Sequence, residues 1–225
     1  MITIPVTNNS PQIPQQGLLF WQDYVVPNCH VTGSSTAAVL NPSTVTGTLL
    51  SGAAYSAPSA SMGILLGNAY VNTNFTTALG DFTAIAIYKC NSSTASGAYQ
   101  RVLDKSFSNG FYIGRNGTTS NAWGGGVKDG SSPFGIFATY TDTQFQMIGL
   151  SRFGTSIKLW NKGDVVNSKT GNGTAMDTTA LRIGRDPSVS YGLNGFVSAV
   201  FIYNKEMTAA EMTQIYQYYS SRYNF

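Results

Sequence analysis

Apolar and polar positions alternate with a period of two through most of this chain, and they switch to a helical period only near its end. Phe196 to Tyr203 is an apolar run of strand length. Its two alternating sets are Phe196, Ser198, Val200, Ile202 and Val197, Ala199, Phe201, Tyr203; neither is polar enough to face water, so the strand is expected to be covered on both sides. Leu181 to Arg185 reads as a short strand that closes the sheet with it, across a turn-rich loop from Asp186 to Gly195. Thr208-Ala-Ala-Glu211 then has the form of a capping box, in which hydroxyl and carboxylate satisfy each other's backbone donors at a helix start. Met212, Ile215, Tyr216 and Tyr219 follow at i, i+3, i+4 and i+7, drawing one apolar stripe down that helix.

Earlier in the chain, Leu18 to Val26 is the first strong strand, and Ile64–Leu66 with Ala69–Val71 reads as a hairpin around Gly67-Asn68. Phe82 to Lys89, Gln100 to Asp104, Phe111 to Arg115, Trp123 to Lys128, Phe134 to Tyr140, Gln144 to Phe153 and Ser156 to Trp160 continue the series as a meander. Pro27 to Pro58, rich in Ser, Thr, Ala and Gly, reads as long loops with short edge strands. The pattern predicts an all-β, two-sheet antiparallel jelly-roll sandwich with a short C-terminal α-helix, in one domain from residue 17 to 225. Residues 1 to 16 carry three prolines and are excluded from a central strand. With Ile2, Ile4 and Val6 alternating, they read either as an extended arm that docks on a partner by β-addition or as a frayed terminus.

The pattern at the C-terminal end resembles the concanavalin A-like lectin/glucanase superfamily, and within it the laminin-G-like and pentraxin-like branch. The residues that carry the likeness are the L-x-I-G strand at Leu181 to Gly184, the strand opened by Gly195 and ending at Tyr203, and Asn204, Met207, Thr208, Glu211 and Tyr216 around the helix. Looser matches are Gly17 to Asp23, Tyr70 to Asn72, Phe82 to Tyr88 and Ile157 to Asn161, so the resemblance spans roughly residues 17 to 222. It implies a lectin-like fold of the kind found in bacteriophage structural proteins, with calcium as a family option. The oxygens available for calcium, on Asp104, Asp129, Asp142 and Asp186, are dispersed and form no D-x-D-x-D cluster, so no ligand set is assigned and no metal or cofactor is expected.

Composition narrows the chemistry. Only 10% of the 225 residues are charged, 13 basic against 10 acidic without runs, so the footprint of a nucleic-acid binder is missing. A surface of Ser, Thr, Asn and Gly suits packing against neighbours, so an oligomeric or assembled state is expected. The first residues have no basic region and Pro5 interrupts their apolar character, so neither membrane insertion nor export by a signal peptide is expected. Cys29 and Cys90 have no metal-ligand spacing and read as buried free thiols. Glycoside hydrolysis in the superfamily needs a carboxylate pair on one strand. Here Glu206 and Glu211, the only two Glu, lie at the helix start, and His30 is the sole His, so no catalytic set is expected.

The reading is therefore a non-catalytic binding and assembly module. Its expected setting is a phage virion, as a capsid decoration, head fibre or tail-associated protein made in the cytoplasm, with other virion proteins or further copies of itself as partners. The alternative is a lectin that binds host surface polysaccharide, and a glycosidase is the remote third reading. Glycan binding needs aromatic faces beside amides or carboxylates, and two loop sets offer them: Asn121, Trp123 and Asp129, and Tyr191 with Asn194.

Overall fold

The structure is a computed structural model that describes residues 13–24, 36–38, 46–50, 64–67, 69–91, 99–105, 109–117, 121–130, 132–140, 143–186, 191–223 and 225. Fifteen strands and one helix form among them. In chain order the first nine are β1 (Leu18–Asp23), β2 (Thr36–Ala38), β3 (Thr46–Leu50), β4 (Ile64–Gly67), β5 (Tyr70–Thr73), β6 (Phe82–Cys90), β7 (Gln100–Lys105), β8 (Gly110–Arg115) and β9 (Ala122–Asp129). They are followed by β10 (Ser132–Thr139), β11 (Phe145–Phe153), β12 (Ser156–Asn161), β13 (Asp164–Thr170), β14 (Arg182–Ile183), β15 (Asn194–Tyr203) and α1 (Ala209–Tyr223).

The strands form two antiparallel sheets. The seven-stranded sheet runs β1-β15-β6-β11-β12-β13, with β4 also pairing β15; the eight-stranded sheet runs β10-β9-β8-β7-β14-β5-β3-β2. Between them lies a core that includes Phe20, Phe82, Ile148, Leu150, Val200 and Ile202 from the first sheet, and Val71, Leu103, Phe111, Ile113, Trp123 and Ile183 from the second. Two runs of neighbours, β7 to β10 and β11 with β12, follow the meander the alternation predicts.

β15 shows why the apolar run had to be covered twice. Val197, Val200 and Ile202 face the core between the sheets, whereas Ala199, Phe201 and Tyr203 face a second cluster with Met212, Ile215 and Tyr219 of α1. A register shift between Val197 and Ala199 accommodates the change of phase. α1 starts as the capping box requires: the Glu211 N–H donates to Thr208 Oγ1 at 3.3 Å, and the Thr208 N–H donates to Glu211 Oε2 at 3.0 Å. Met212, Ile215 and Tyr219 are fully buried, while Tyr216 lies at the edge of the stripe and donates its hydroxyl to the Phe225 carbonyl at 2.6 Å. The helix is tied to β1 through buried Asp23, which accepts from the Tyr219 hydroxyl at 2.8 Å and from Arg222 at 3.1 Å.

Several local expectations are corrected. Ile64–Leu66 and Ala69–Val71 do not form a hairpin, because β4 joins β15 and β5 joins β14 and β3 in the opposite sheet. Leu181–Arg185 does not pair with Phe196–Tyr203 either; β14 sits between β7 and β5, across the core from β15. Local alternation does not distinguish a chain that passes to the opposite sheet from a hairpin. β13 is an additional strand: every residue of Asp164–Thr170 is exposed, so it has no apolar face to announce it. Cys90 is a buried free thiol with its Sγ 3.5 Å from Gln100 Oε1. Ile2, Ile4, Val6, Cys29 and His30 lie outside the described residues.

Two substitutions test the helix anchoring by urea unfolding. Thr208→Ala is expected to cost about 1 kcal/mol through loss of the cap. Tyr219→Phe, which takes a donor from a buried carboxylate, is expected to cost about 1–3 kcal/mol. A neutral Tyr219→Phe would mean that Asp23 does not hold the helix.

Candidate binding face

α1 covers the outer face of the seven-stranded sheet. Among the described residues no element lies over the outer face of the eight-stranded one, and the side chains on that face form the candidate site. Core positions on each strand fix which side chains point outward. Leu103, Phe111, Ile113, Trp123, Val127, Ile136, Val71 and Ile183 are in the core. Their neighbours Arg101, Asp104, Tyr112, Gly124, Gly126, Gly135, Arg182, Tyr70 and Asn72 therefore belong to the outer side. One row of Cα partners crosses this side as Gly135, Gly126, Tyr112, Asp104, Arg182, Asn72 and Thr48.

The glycines in that row have a steric role. A Cβ on Gly126 would stand 2.6 Å from the Tyr112 ring, so glycine there lets the ring lie across β9. On Tyr112 rests the Arg101 guanidinium, its central carbon 3.8 Å from the ring centroid. Tyr99 and Tyr191 flank the same guanidinium at 5.8 and 5.5 Å and meet each other with centroids 5.1 Å apart. They are 36% and 38% exposed, whereas Arg101 is 4% exposed. Further along, Arg182 and Arg185 both lie over Tyr70, at 5.5 and 5.8 Å.

Local structure explains how Tyr191 reaches this place. Gly184 takes a φ of +90°, turning the chain out of β14. Asp186 Oδ1 then accepts the Tyr191 N–H at 2.6 Å, and an Arg185–Gly192 bridge closes the loop. Tyr99 is set at the start of β7, packed on Gly117, where a Cβ would stand 2.6 Å from its ring.

At the centre lie two charged groups without ordinary partners. Arg101 Nε is 3.5 Å from Asp104 Oδ2, an ion contact too long to be a good hydrogen bond. Both Asp104 oxygens and the Arg101 Nε and Nη1 are buried without a hydrogen-bond partner. Burial pushes the Asp104 carboxyl up to about 7, with Arg101 and Arg182 pulling it down and Asp186 pushing it up. Near neutral pH it is therefore close to half protonated.

The residues proposed from sequence do not converge as two sets. Trp123 is 1% exposed, packed 4.9 Å from Tyr88 inside the core, so its ring is not a surface for a sugar. This corrects the expectation: Trp123 faces inward because its odd-numbered partners on β9, Gly125 and Val127, do. Asn121 sits in the turn before β9 with a φ of 56°, and Asp129 ends the same strand, roughly 20 Å from Trp123 at about 3.3 Å per residue. Tyr191 does stand on the candidate face. Asn194 lies beside it at the start of β15, exposed, with its backbone N–H held by Gln100 Oε1 at 3.2 Å. Of the four candidate calcium residues, Asp104 and Asp186 are close enough to interact electrostatically, Asp129 ends β9, and Asp142 lies outside the described residues. Among the described residues no three His, Cys, Asp or Glu side chains gather in a metal-like cluster.

Sequence reasoning missed Tyr70, Tyr99, Arg101, Tyr112, Arg182 and Arg185, and named Asp104 only among dispersed oxygens for calcium. The available signal was scarcity: in a chain that is 10% charged, Arg101, Asp104, Arg182, Arg185 and Asp186 fall on or beside two short strands.

The architecture is an antiparallel two-sheet β-sandwich with one C-terminal helix. No protein-family model matches the chain, and no curated protein matches it by sequence. Among solved structures it is similar to a receptor-binding domain of botulinum neurotoxin mosaic serotype C/D, with a TM-score of 0.67 and 10% identity over 89% of this chain and 50% of that one. It is also similar to the binding domain of botulinum neurotoxin DC in complex with rat synaptotagmin II, with a TM-score of 0.54 and 12% identity over 79% of this chain and 43% of that one. A mutant of Trypanosoma rangeli sialidase displaying trans-sialidase activity gives a TM-score of 0.59 and 12% identity over 91% and 33%. The chain spans half or less of each of these proteins, and at such identities the likeness is one of fold.

Asp104 gives this face a testable pH signature. An unfolded carboxyl titrates near 3.8 and the folded one near 7, so the folded state holds the extra proton between those values. Stability is then lost as pH rises through that window, because the carboxylate is ionised in a buried place. Asp104→Asn is expected to gain stability relative to the parent on going from pH 5 to pH 8, on the order of 1–3 kcal/mol. Urea midpoints at the two pH values measure it; a difference that does not change with pH contradicts the assignment.

Proposed function

We propose that this protein is a non-catalytic carbohydrate-binding module that takes its ligand on the outer face of the eight-stranded sheet. The observation that carries the reading is the pair Tyr99 and Tyr191, more than a third exposed and set over the Arg101 guanidinium. Sugar rings offer apolar C–H faces to aromatic rings and hydroxyls to charged or amide groups, and this face supplies both within a few ångströms.

Support also comes from the fold neighbours. One is a botulinum neurotoxin type C structure described with cell entry dependent on interaction with two ganglioside molecules, and another is a binding domain in complex with SialylT. Membership of the concanavalin A-like superfamily fits the same fold and the C-terminal residues that resemble it. A binding role, rather than hydrolysis, is favoured by the state of the carboxylates. Asp104 is buried, Asp186 is occupied by the Tyr191 N–H, and Glu206 and Glu211 are ion-paired with Lys158 and Lys205 at the helix start. The place on a phage particle rests on the ion-poor surface and the family resemblance, and recognition of a host glycan is the form of that role which this face favours.

A glycan array followed by calorimetric titration of the full chain tests the reading. Tyr191→Ala and Tyr99→Ala are each expected to weaken binding roughly tenfold, the worth of one aromatic contact, with unchanged circular dichroism. Absence of saturable binding across the array, or full affinity in the double variant, would remove this function.

A further inference from the structure

We propose that the ligand of this face is an acidic sugar whose carboxylate seats on the Arg101 guanidinium beside Asp104, so that binding is strongest on the acid side of neutrality. The inference rests on the carbohydrate-binding reading and specifies its chemical class.

Three observations lead to it. First, three guanidiniums, Arg101, Arg182 and Arg185, lie near two carboxyl groups, Asp104 and Asp186; Arg101 is stacked on Tyr112 at 3.8 Å, and Arg182 and Arg185 stand 5.5 and 5.8 Å from the centroid of Tyr70. Stacking occupies the flat face of a guanidinium and leaves its N–H edge for a planar, two-oxygen acceptor. Second, Arg101 Nε and Nη1 are buried donors without a hydrogen-bond partner. Unmade buried hydrogen bonds are costly, and a carboxylate is the group that fits two adjacent N–H donors of this kind. Third, both Asp104 oxygens are in the same condition, 3.5 Å from Arg101 at the closest.

The groups facing Asp104 are Arg101 from its own strand β7, Tyr112 from β8, Arg182 from β14 and Asp186 from the turn after it. Tyr99 and Tyr191 flank Arg101 alongside. When Asp104 is ionised it neutralises Arg101 and repels a ligand carboxylate. When it is protonated the face gains one unit of positive charge, and the Asp104 hydroxyl becomes a donor to that carboxylate. A sugar carboxylate itself, with a pKa of about 3.5 like other α-carboxyl groups, stays ionised throughout pH 5.5–8.5, so the change comes from the protein. Arg101 is 4% exposed and flanked by Tyr99 and Tyr191 at 5.8 and 5.5 Å, so its donors are reached only by local rearrangement of the site when the ligand binds.

The test is titration of the full chain with polygalacturonate, a sialylated oligosaccharide, a sulfated polysaccharide and a neutral glucan at pH 5.5, 7.0 and 8.5. The expected result is saturable binding of a carboxylated ligand, roughly tenfold tighter at pH 5.5 than at 8.5, as expected for one charge acting at close range. Arg101→Gln should abolish it, and Asp104→Asn should flatten the pH profile while binding persists. Should Arg101→Gln fail to fold, the Asp104→Asn profile decides. Neutral glucan bound as tightly as the acidic ligands overturns this inference and leaves the carbohydrate-binding reading standing, whereas no binding to any glycan removes both. Sulfated and carboxylated ligands bound equally, with a flat pH profile in the parent, would mean unspecific attraction and also overturns it.

Discussion

The docking of α1 onto the seven-stranded sheet is the constraint from which the rest of the molecule follows. It turns β15 from a half-buried strand into one buried on both sides, with Val200 and Ile202 against the opposite sheet and Phe201 and Tyr203 against the helix. Full burial of side chains of this size is worth about 1.5–3 kcal/mol each, so the helix face is a second core and not an ornament. Polar groups trapped in it are satisfied: Asp23 accepts from Tyr219 and Arg222, and Ser198 contacts the Tyr223 hydroxyl.

Much of this half of the structure was legible in the sequence. Thr208 and Glu211 announced the helix start, Met212, Ile215 and Tyr219 its buried stripe, and the two apolar sets of Phe196 to Tyr203 its cover. Such signals are local: a cap spans three residues and a stripe four. Sheet membership is not local. β4 and β5 are adjacent in sequence and lie in opposite sheets, and β14 inserts between β7 and β5, which no short-range pattern encodes. β13 was invisible for another reason, since a wholly exposed edge strand carries no alternation at all.

The candidate face was hidden by the same distinction. Asp104 and Arg182 are Cα partners brought together by a strand of two residues, and Tyr191 joins them only because Asp186 folds the intervening loop. Composition near a tryptophan pointed instead to Trp123, whose bulk is what fills the core between the sheets. Tyr191 and Asn194 were singled out because a loop aromatic close to an amide is a local feature. The neighbours of Tyr191 in space, Tyr99 just before β7 and Arg101 within it, were not.

The Arg101–Asp104 contact is hard to account for as a stabilising device. A buried ion pair gains little over well-packed apolar residues, and it gains least when the remaining donors and acceptors go unmet, as they do here. The surrounding sheet nevertheless keeps the pair in place: the ring of Tyr112 lies under Arg101, and that ring lies flat only because Gly126 has no side chain. A glycine within a strand weakens it, so the arrangement carries a second cost in the backbone. Two local penalties converge on one guanidinium, and the ligand contact proposed for this face would offset them in a way that packing within the sheet does not.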